Sequence, residues 1–302
     1  MNYKFDFVKA RKWFFLFSLA TILLGVVSLL VQGLNLGIDF VSGSRLEINL
    51  HQAVDKAKAD AKLEELGYAS PNTRLAGNDK ELLIFRTDKA LSKEKVIQIR
   101  DAFQKVYGKS VAVNEQTVDP IIGRELARNA IYSVLIASIG IIAYITLRFE
   151  YRFAFAAIIA ILYDALFTIS LFSIFQWEVD LVFIAAVLTI VGYSTNDTIV
   201  IFDRIRENVK KENPKTFEAL SSVVNTSVQQ TLVRSINTVL TVVFAALALL
   251  IFGGESIKYF SIALLIGLIS GAYSSICIAS QIWIDWKWRS LKRADQNLQS
   301  AE

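Results

Sequence analysis

The sequence is poor in the residues from which soluble enzymes build their sites. Of 302 residues, one is cysteine (Cys277) and one is histidine (His51). A lone cysteine inside an apolar run excludes an internal disulfide and argues against a catalytic thiol or a cysteine-ligated metal. A lone histidine, with no zinc motif and no phosphate-binding glycine loop, leaves no triad, zinc site or nucleotide cradle to assemble. Hydrolase and kinase readings have no support, the chain is not expected to be an enzyme, and neither metal nor cofactor is expected. Excess charge of one sign is also scarce: 32 lysines and arginines stand against 28 acids, for a net charge of +4. The cations collect just outside apolar runs and make no basic face, so nucleic acid is not an expected partner. What the chain does have is apolar sequence. Its hydrophobic fraction is 54% and its mean hydropathy +0.44, too apolar for a soluble domain of ordinary composition. It reads as a membrane protein.

Residues 1–12 carry Lys4, Lys9, Arg11 and Lys12 against Asp6, and residues 13–31 form an uncharged run long enough to span a bilayer. Its uninterrupted length and the lack of a small-residue cleavage site favour a retained anchor over a signal peptide. The positive-inside rule puts the amino terminus in the cytoplasm and the segment after the span outside. Residues 32–129 turn polar and read as a small periplasmic α+β domain. Ser44–Leu50 alternates as a strand, and Gln52–Leu66 carries Val54, Ala57 and Ala61 at helical spacing before Gly67. Asn72–Ala76 and Glu81–Arg86 flank a Gly77-Asn78-Asp79 turn. Ser92 heads a helix expected to bury Val96, Ile99, Phe103 and Val106, and Ser110–Val118 is a last strand. Strand, helix, strand, strand, helix, strand is the order of a ferredoxin-like domain, with both helices on one face of an antiparallel sheet. His51, ending the first strand, is expected to be a surface or packing residue.

Five further apolar runs, at about 130–147, 153–175, 181–202, 232–252 and 260–284, bring the spans to six. Arg148 and Arg152, the cluster from Arg204 to Lys215, and Lys287, Arg289, Lys292 and Arg293 in the tail (285–302) all fall on the side of the amino terminus. Hydrophobicity alone defines the spans, so the charge bias supports them independently. The expected fold is a polytopic α-helical membrane protein of six transmembrane helices with both termini cytoplasmic. Trp13, Trp177, Tyr259, Trp283 and Trp286 fall near span ends, where interfacial aromatics belong.

The fourth run carries Asn196 and Asp197 while still hydrophobic enough to lie in lipid. A carboxylate there costs roughly 2.5–3.5 kcal/mol on insertion scales, so it needs a partner, a proton or a water-filled cavity. Arg234, near the cytoplasmic start of the fifth run, lies at matching depth and can meet Asp197 if the two helices adjoin. Ser227, Gln230, Thr231, Arg234, Asn237, Thr238 and Thr241 align on that run as one polar stripe. Asp164, mid-way along the third run with Thr168 one turn on, belongs to the same network or pairs elsewhere. Loss of water favours a protonated acid and a nearby guanidinium favours its ion, so relative helix motion would load and release a proton. The plainer alternative is a static ion pair and hydrogen-bond glue, each contact worth about a kcal/mol or less. On the sixth run Ala263, Gly267, Gly271, Ser275 and Ala279 recur every four residues, a small face for close packing.

With these residues in view, the chain resembles the SecD/SecF protein-export family, on its SecF side, within the resistance-nodulation-division superfamily. The resemblance rests on Gly192-Tyr193-Ser194 with Asn196-Asp197, on Asp203-Arg204-Ile205-Arg206-Glu207-Asn208, on Leu36-Gly37-Ile38-Asp39-Phe40, on Arg148-Phe149-Glu150 and on Phe252-Gly253-Gly254. The chain departs from the family pattern at Ser42, where glycine is usual, at Asp119, where Gly-Pro is, and at Tyr163, where histidine often precedes the aspartate. The resemblance implies a SecD-like partner arranged pseudo-symmetrically and carrying the larger outer domain. It also implies association with the SecYEG channel, an exported unfolded polypeptide as client, and a place among the lipids of the bacterial inner membrane. The activity implied is use of the proton-motive force to assist protein export, with Asp197 and Arg234 as the proton-pathway pair. A non-conducting structural subunit and a half-transporter for small hydrophobic compounds are the alternatives.

Overall fold

A computed structural model describes residues 5–77 and 79–299. Lys4 of the basic amino-terminal flank, Asn78 of the expected turn and the last three residues of the tail lie outside the described residues.

Asp6 caps α1 (Phe7–Val31), accepting the Lys9 N–H, and an Asn225 amide from far along the chain donates to the same carboxylate at 2.7 Å. After α1 the backbone forms β1 (Asn35–Leu36) and a short turn of helix, α2 (Ile38–Val41), before entering the outer domain. That domain runs β2 (Gly43–Asn49), α3 (Lys56–Glu65), β3 (Asn72–Ala76), β4 (Leu82–Thr87), α4 (Lys93–Tyr107) and β5 (Ala112–Val118). Its strands lie in the order β3-β4-β2-β5, every neighbour antiparallel. Strand side chains alternate between faces. Leu46, Ile48, Leu83 and Phe85 therefore point one way, into a core closed by Ala59, Leu63, Ile99 and Phe103 of the two helices. Arg45, Glu47, Arg74 and Arg86 take the other face.

Three sequence expectations fail here, each for a local reason. The first helix of the domain starts only at Lys56, after an Asp55 cap that accepts the Ala57 N–H, so Val54 is buried from the preceding loop. The buried helical positions are Ala59 and Leu63, and Ala57 and Ala61 are exposed. In α4, Val106 is exposed, and Tyr107 packs on the core by stacking on Phe103. His51 is exposed.

Among the described residues, six helices are long and apolar enough to cross a membrane. They are α1, α5 (Pro120–Arg148), α6 (Tyr151–Phe175), α7 (Leu181–Glu212), α8 (Phe217–Phe252) and a sixth, composite helix. Between α6 and α7 lies β6 (Glu178–Val179), which pairs in parallel with β1. The composite helix consists of α9 (Lys258–Ser274), a π turn (Ser275–Ala279) and α10 (Ser280–Gln299). Residues 120–129, assigned to the outer domain by their polarity, are helical: Asp119 accepts the Ile121 N–H and Pro120 occupies the first turn, a strong start signal. α7, α8 and the composite helix likewise run past their apolar stretches. Hydropathy reports the part of a helix in lipid; capping decides where it ends. Trp283, expected at an interface, is buried and stacked on Phe153 at 4.6 Å, because the helix continues beyond it.

α9 sits at the centre, against α6, α7 and α8. Its small residues make this possible: a Cβ built on Gly271 would lie 3.2 Å from the Ser194 Cβ of α7, and the Ser275 hydroxyl bonds Thr198 at 2.7 Å. The flanking helices α1, α5 and α8 leave most of their apolar surface uncovered.

The outer domain depends on one small core. Phe103→Ala is expected to destabilise that domain by about 3–5 kcal/mol. Limited proteolysis and thermal unfolding of the purified chain should show cleavage confined to residues 43–118.

Candidate functional site

Asp164 on α6 is fully buried. Ser270 of α9 donates to its Oδ1 at 2.5 Å, and Ser194 of α7 and Ser274 of α9 donate to its Oδ2 at 2.6 and 2.7 Å. Three hydroxyls from two neighbouring helices thus supply the bonds that water would otherwise give. Polar contacts continue to either side. Tyr163 faces Thr21 of α1 at 3.4 Å, Tyr273 faces Ser18 at 3.0 Å, and Ser275 joins Thr198. Asp164 therefore pairs with serines and is not bonded to Asp197 or Arg234.

Asp197 is placed differently. It is buried on α7, where its Oδ2 makes no hydrogen bond of good geometry among the described residues; the buried Ser235 hydroxyl of α8, itself without one, is the neighbour placed to donate to it, and Arg234 lies close enough to act on its charge. With Tyr193, Asn196, Thr238 and Gly271, Asp197 lines a cavity of about 10 Å³, close to the least volume that admits one water. α7 and α8 do adjoin, but no salt bridge joins Asp197 to Arg234 among the described residues, and Arg234 is exposed. The expected ion pair is absent because the guanidinium lies on the uncovered side of α8. Asn196 and Asn237 are exposed too. The polar stripe of α8 thus divides. Ser227 and Gln230 bond Asn208 of α7, at 2.8 and 3.0 Å, and Gln230 also accepts from Arg204 at 2.5 Å. Above them Arg234, Asn237 and Thr241 look outward.

At the other end of α7 the outer domain meets the bundle. Asp180 caps the helix, its Oδ1 accepting the Phe183 N–H at 2.7 Å, and Asp39 of α2 accepts the Leu181 N–H at 3.0 Å. Arg86 donates to the Leu36 carbonyl at 2.5 Å and lies 3.6 Å from the buried Glu178; Arg74 lies 3.3 Å from Glu255 and over the Tyr259 ring. Arg45 pairs with Glu47 at 2.7 Å. Burial pushes the Asp180 carboxyl above its ordinary range, the Phe183 N–H opposes that, Glu178 and Asp39 add to it, and Arg45 opposes it.

Sequence reasoning picked out Asp197, Asn196, Arg234 and Asp164 but missed the serines around Asp164 and the two acids, Asp180 and Asp39, that hold the start of α7. Ser270 and Ser274, one turn apart and adjoining the small-residue face, were the available signal. Asp180, directly before an apolar run, was a cap signal of the usual kind. Among the described residues no group of three or more histidine, cysteine or acidic side chains is arranged to hold a metal.

Comparison with known proteins gives one answer. Residues 98–289 match the family model of the protein export membrane protein SecD/SecF, C-terminal region, and residues 27–54 match the SecD/SecF GG motif. The protein translocase subunit SecDF of Bacillus subtilis is 51% identical over 96% of this chain, which spans 39% of that protein's length. The protein translocase subunit SecF of Alicyclobacillus acidocaldarius is 44% identical over 100% of this chain and 99% of its own. The crystal structure of SecDF, a translocon-associated membrane protein, from Thermus thermophilus superposes with a TM-score of 0.85 at 32% identity, covering 95% of this chain and 39% of that one.

Two measurements check the geometry. Asp164→Ala strands three serine hydroxyls and is expected to destabilise the bundle by about 1.5–3 kcal/mol in detergent unfolding, as for hydrogen bonds to a charged group. With its raised carboxyl, Asp180 binds a proton more tightly in the folded than in the unfolded chain. The stability it contributes therefore falls as pH rises from the ordinary aspartate range through the raised value. Thermal unfolding against pH should lose that slope in Asp180→Asn.

Proposed function

We infer the function from this premise: the chain belongs to the SecD/SecF family of protein-export membrane proteins, and it matches a SecF relative over nearly that protein's whole length. It is a multi-pass inner-membrane protein with an auxiliary role in Sec-dependent protein export. On the reading proposed here it works beside a SecD-like subunit and the SecYEG channel on an unfolded polypeptide, and it uses the proton-motive force. Support for the SecD-like partner comes from the fused SecDF relatives, of which this chain corresponds to 39%. Further support comes from the polar side chains that α7 and α8 turn outward.

Asp197 is the proposed proton site, and the observation that carries it is a buried carboxylate oxygen with no hydrogen bond of good geometry among the described residues, beside a cavity at the lower limit for one water. Intramembrane acids are costly and usually mark ion or proton pathways. Asn196 and Arg234 flank it on the side open to a partner, where a small helix displacement would bring the guanidinium to the acid or take it away. A proton crossing the membrane supplies about 2.3 kcal/mol per 100 mV, enough to bias a conformational equilibrium of a few kcal/mol. Asp164 is assigned a supporting part, since its bonds are already satisfied within the chain. That same knot of serines is what favours the second reading, a non-conducting structural subunit.

The cytoplasmic placement of both termini is proposed on the charge bias, with Lys9, Arg11, Arg148, Arg204 and Lys287 at one end of the bundle. The outer domain is then periplasmic. Its 2-3-1-4 antiparallel strand order, counted within the domain, supports reading it as ferredoxin-like.

In membrane vesicles holding the partner subunit and the channel, Asp197→Asn should reduce export to the level seen without a proton gradient, and Arg234→Ala should lower the gradient-dependent part at least several-fold. Full gradient-dependent export by Asp197→Asn would leave the structural reading in its place.

A further inference from the structure

The end of α7 opposite its basic tail is held by a segment from 142 residues earlier in the chain. An α-helix begins with several N–H groups that have no partner within the helix, and the N-cap side chain satisfies only one of them. α7 already has its own cap in Asp180, which takes the Phe183 N–H. The second carboxylate, Asp39, takes the Leu181 N–H from α2. Its charge acts against that of Asp180, so a second acid brings repulsion that an asparagine or serine would avoid. The second acceptor is thus a charged group from a distant segment, and it ties that segment to the end of the helix.

Asp39 belongs to a strap that is fixed on three sides. Residues Asn35 and Leu36 pair with Glu178 and Val179, and the Gly37 N–H donates to the Val179 carbonyl at 2.7 Å. A Cβ on Gly37 would stand 3.1–3.3 Å from Glu178, Val179 and Asp180, so the strap lies tight against the link into α7. On its second side, a Cβ on Gly123 of α5 would fall 2.6 Å from Ser42 Oγ and 3.4 Å from the Asp39 carbonyl. On its third side the outer domain grips it: Arg86 of β4 donates to the Leu36 carbonyl at 2.5 Å and to Asn35 Oδ1 at 3.3 Å. From Leu181, α7 continues unbroken through Asp197, roughly 24 Å further along its axis at 1.5 Å per residue. An unbroken helix transmits a displacement of its end to the residues along it.

We propose that Asp39 is a positioning residue: it ties the seat of the outer domain to α7 and thereby sets where Asp197 stands relative to α8. This rests on the reading of Asp197 as the proton site. A plain stabilising cap would hold the same hydrogen bond, so the test has to read coupling and not only folding.

Three chains would be assembled with the partner subunit and the channel: Asp39→Ala, which removes the acceptor; Asp39→Asn, which keeps an oxygen for the Leu181 N–H; and the unaltered sequence. Export would be measured with and without an imposed proton gradient. In parallel, a thiol reagent would label Tyr193→Cys on α7, in a Cys277→Ser background. The expected result is that Asp39→Ala loses at least tenfold of the gradient-dependent increment and that its labelling rate no longer responds to the gradient. Asp39→Asn should recover at least a third of both. Asp39→Ala present at normal level with an unaltered gradient response in both readouts would overturn the proposal. If Asp39→Ala fails to accumulate, Arg86→Gln leaves the cap in place while releasing the strap: the same losses support the coupling, and unaltered responses overturn it. Asp197→Asn is run alongside. Should it retain gradient-dependent export, the proton-site reading fails, and the labelling response of Asp39→Ala alone decides whether the strap moves α7.

Discussion

A carboxylate without water must receive its hydrogen bonds from the protein, and in this chain that requirement governs how α6, α7 and α9 meet. Asp164 collects one serine of α7 and two of α9 within 2.7 Å. To deliver hydroxyls at that range the helices must approach closely, which Gly267 and Gly271 of α9 allow against Ile190 and Ser194. Small residues and polar glue thus serve one another. The apolar clusters at the two ends of the bundle, around Phe153, Phe202 and Trp283 and around Phe172 and Phe183, then have a fixed frame to pack on.

The two membrane acids differ in a way that separates structure from chemistry. Asp164 is fully bonded and central. Asp197, one turn of α7 beyond Ser194, keeps an oxygen with no hydrogen bond of good geometry among the described residues and sits where α8 turns Arg234 and Asn237 away from the bundle. A satisfied acid holds helices; an unsatisfied one responds when its surroundings change. The outer domain joins the same helix from its far end, through arginines 74 and 86 on the sheet face that carries no helices.

Much of the architecture was legible because lipid and water leave strong marks on sequence. Six apolar runs and the spacing of Ile99 and Phe103 foretold the elements that contain them. Helix ends were less legible: the polarity of residues 120–129 hid a helix that Asp119 and Pro120 announce. Facing was legible only to within a turn: in α3 the cap falls at Asp55 and the core takes Ala59 and Leu63, and in α4, which starts at its expected Ser92 cap, the core takes Tyr107 in place of Val106. Ser42, where the resemblance implies glycine, has φ 68° and ψ 172°, a conformation that glycine enters far more readily than other residues. Pairing between distant elements was least legible. Depth matched Asp197 to Arg234, but depth fixes height along a helix and leaves its azimuth open, and azimuth is what set the guanidinium outside.

The π turn at Ser275–Ala279 bears on how such a helix came to be and what it tolerates. A π turn is one residue longer than the α-helical turn it replaces, so it is the trace that a single-residue insertion leaves when the residues on both sides keep their contacts. Upstream, Ser270 and Ser274 hold Asp164; downstream, Trp283 and Ile284 stay in the core. Tightening the turn to regular helix with all its residues kept would swing everything after it by about 100°, moving Trp283 off Phe153; deleting one residue within it would restore regular helix and leave both flanks in place. The two halves of the composite helix are therefore phased separately, each to its own neighbours, and the wide turn is the spacer that keeps both in register.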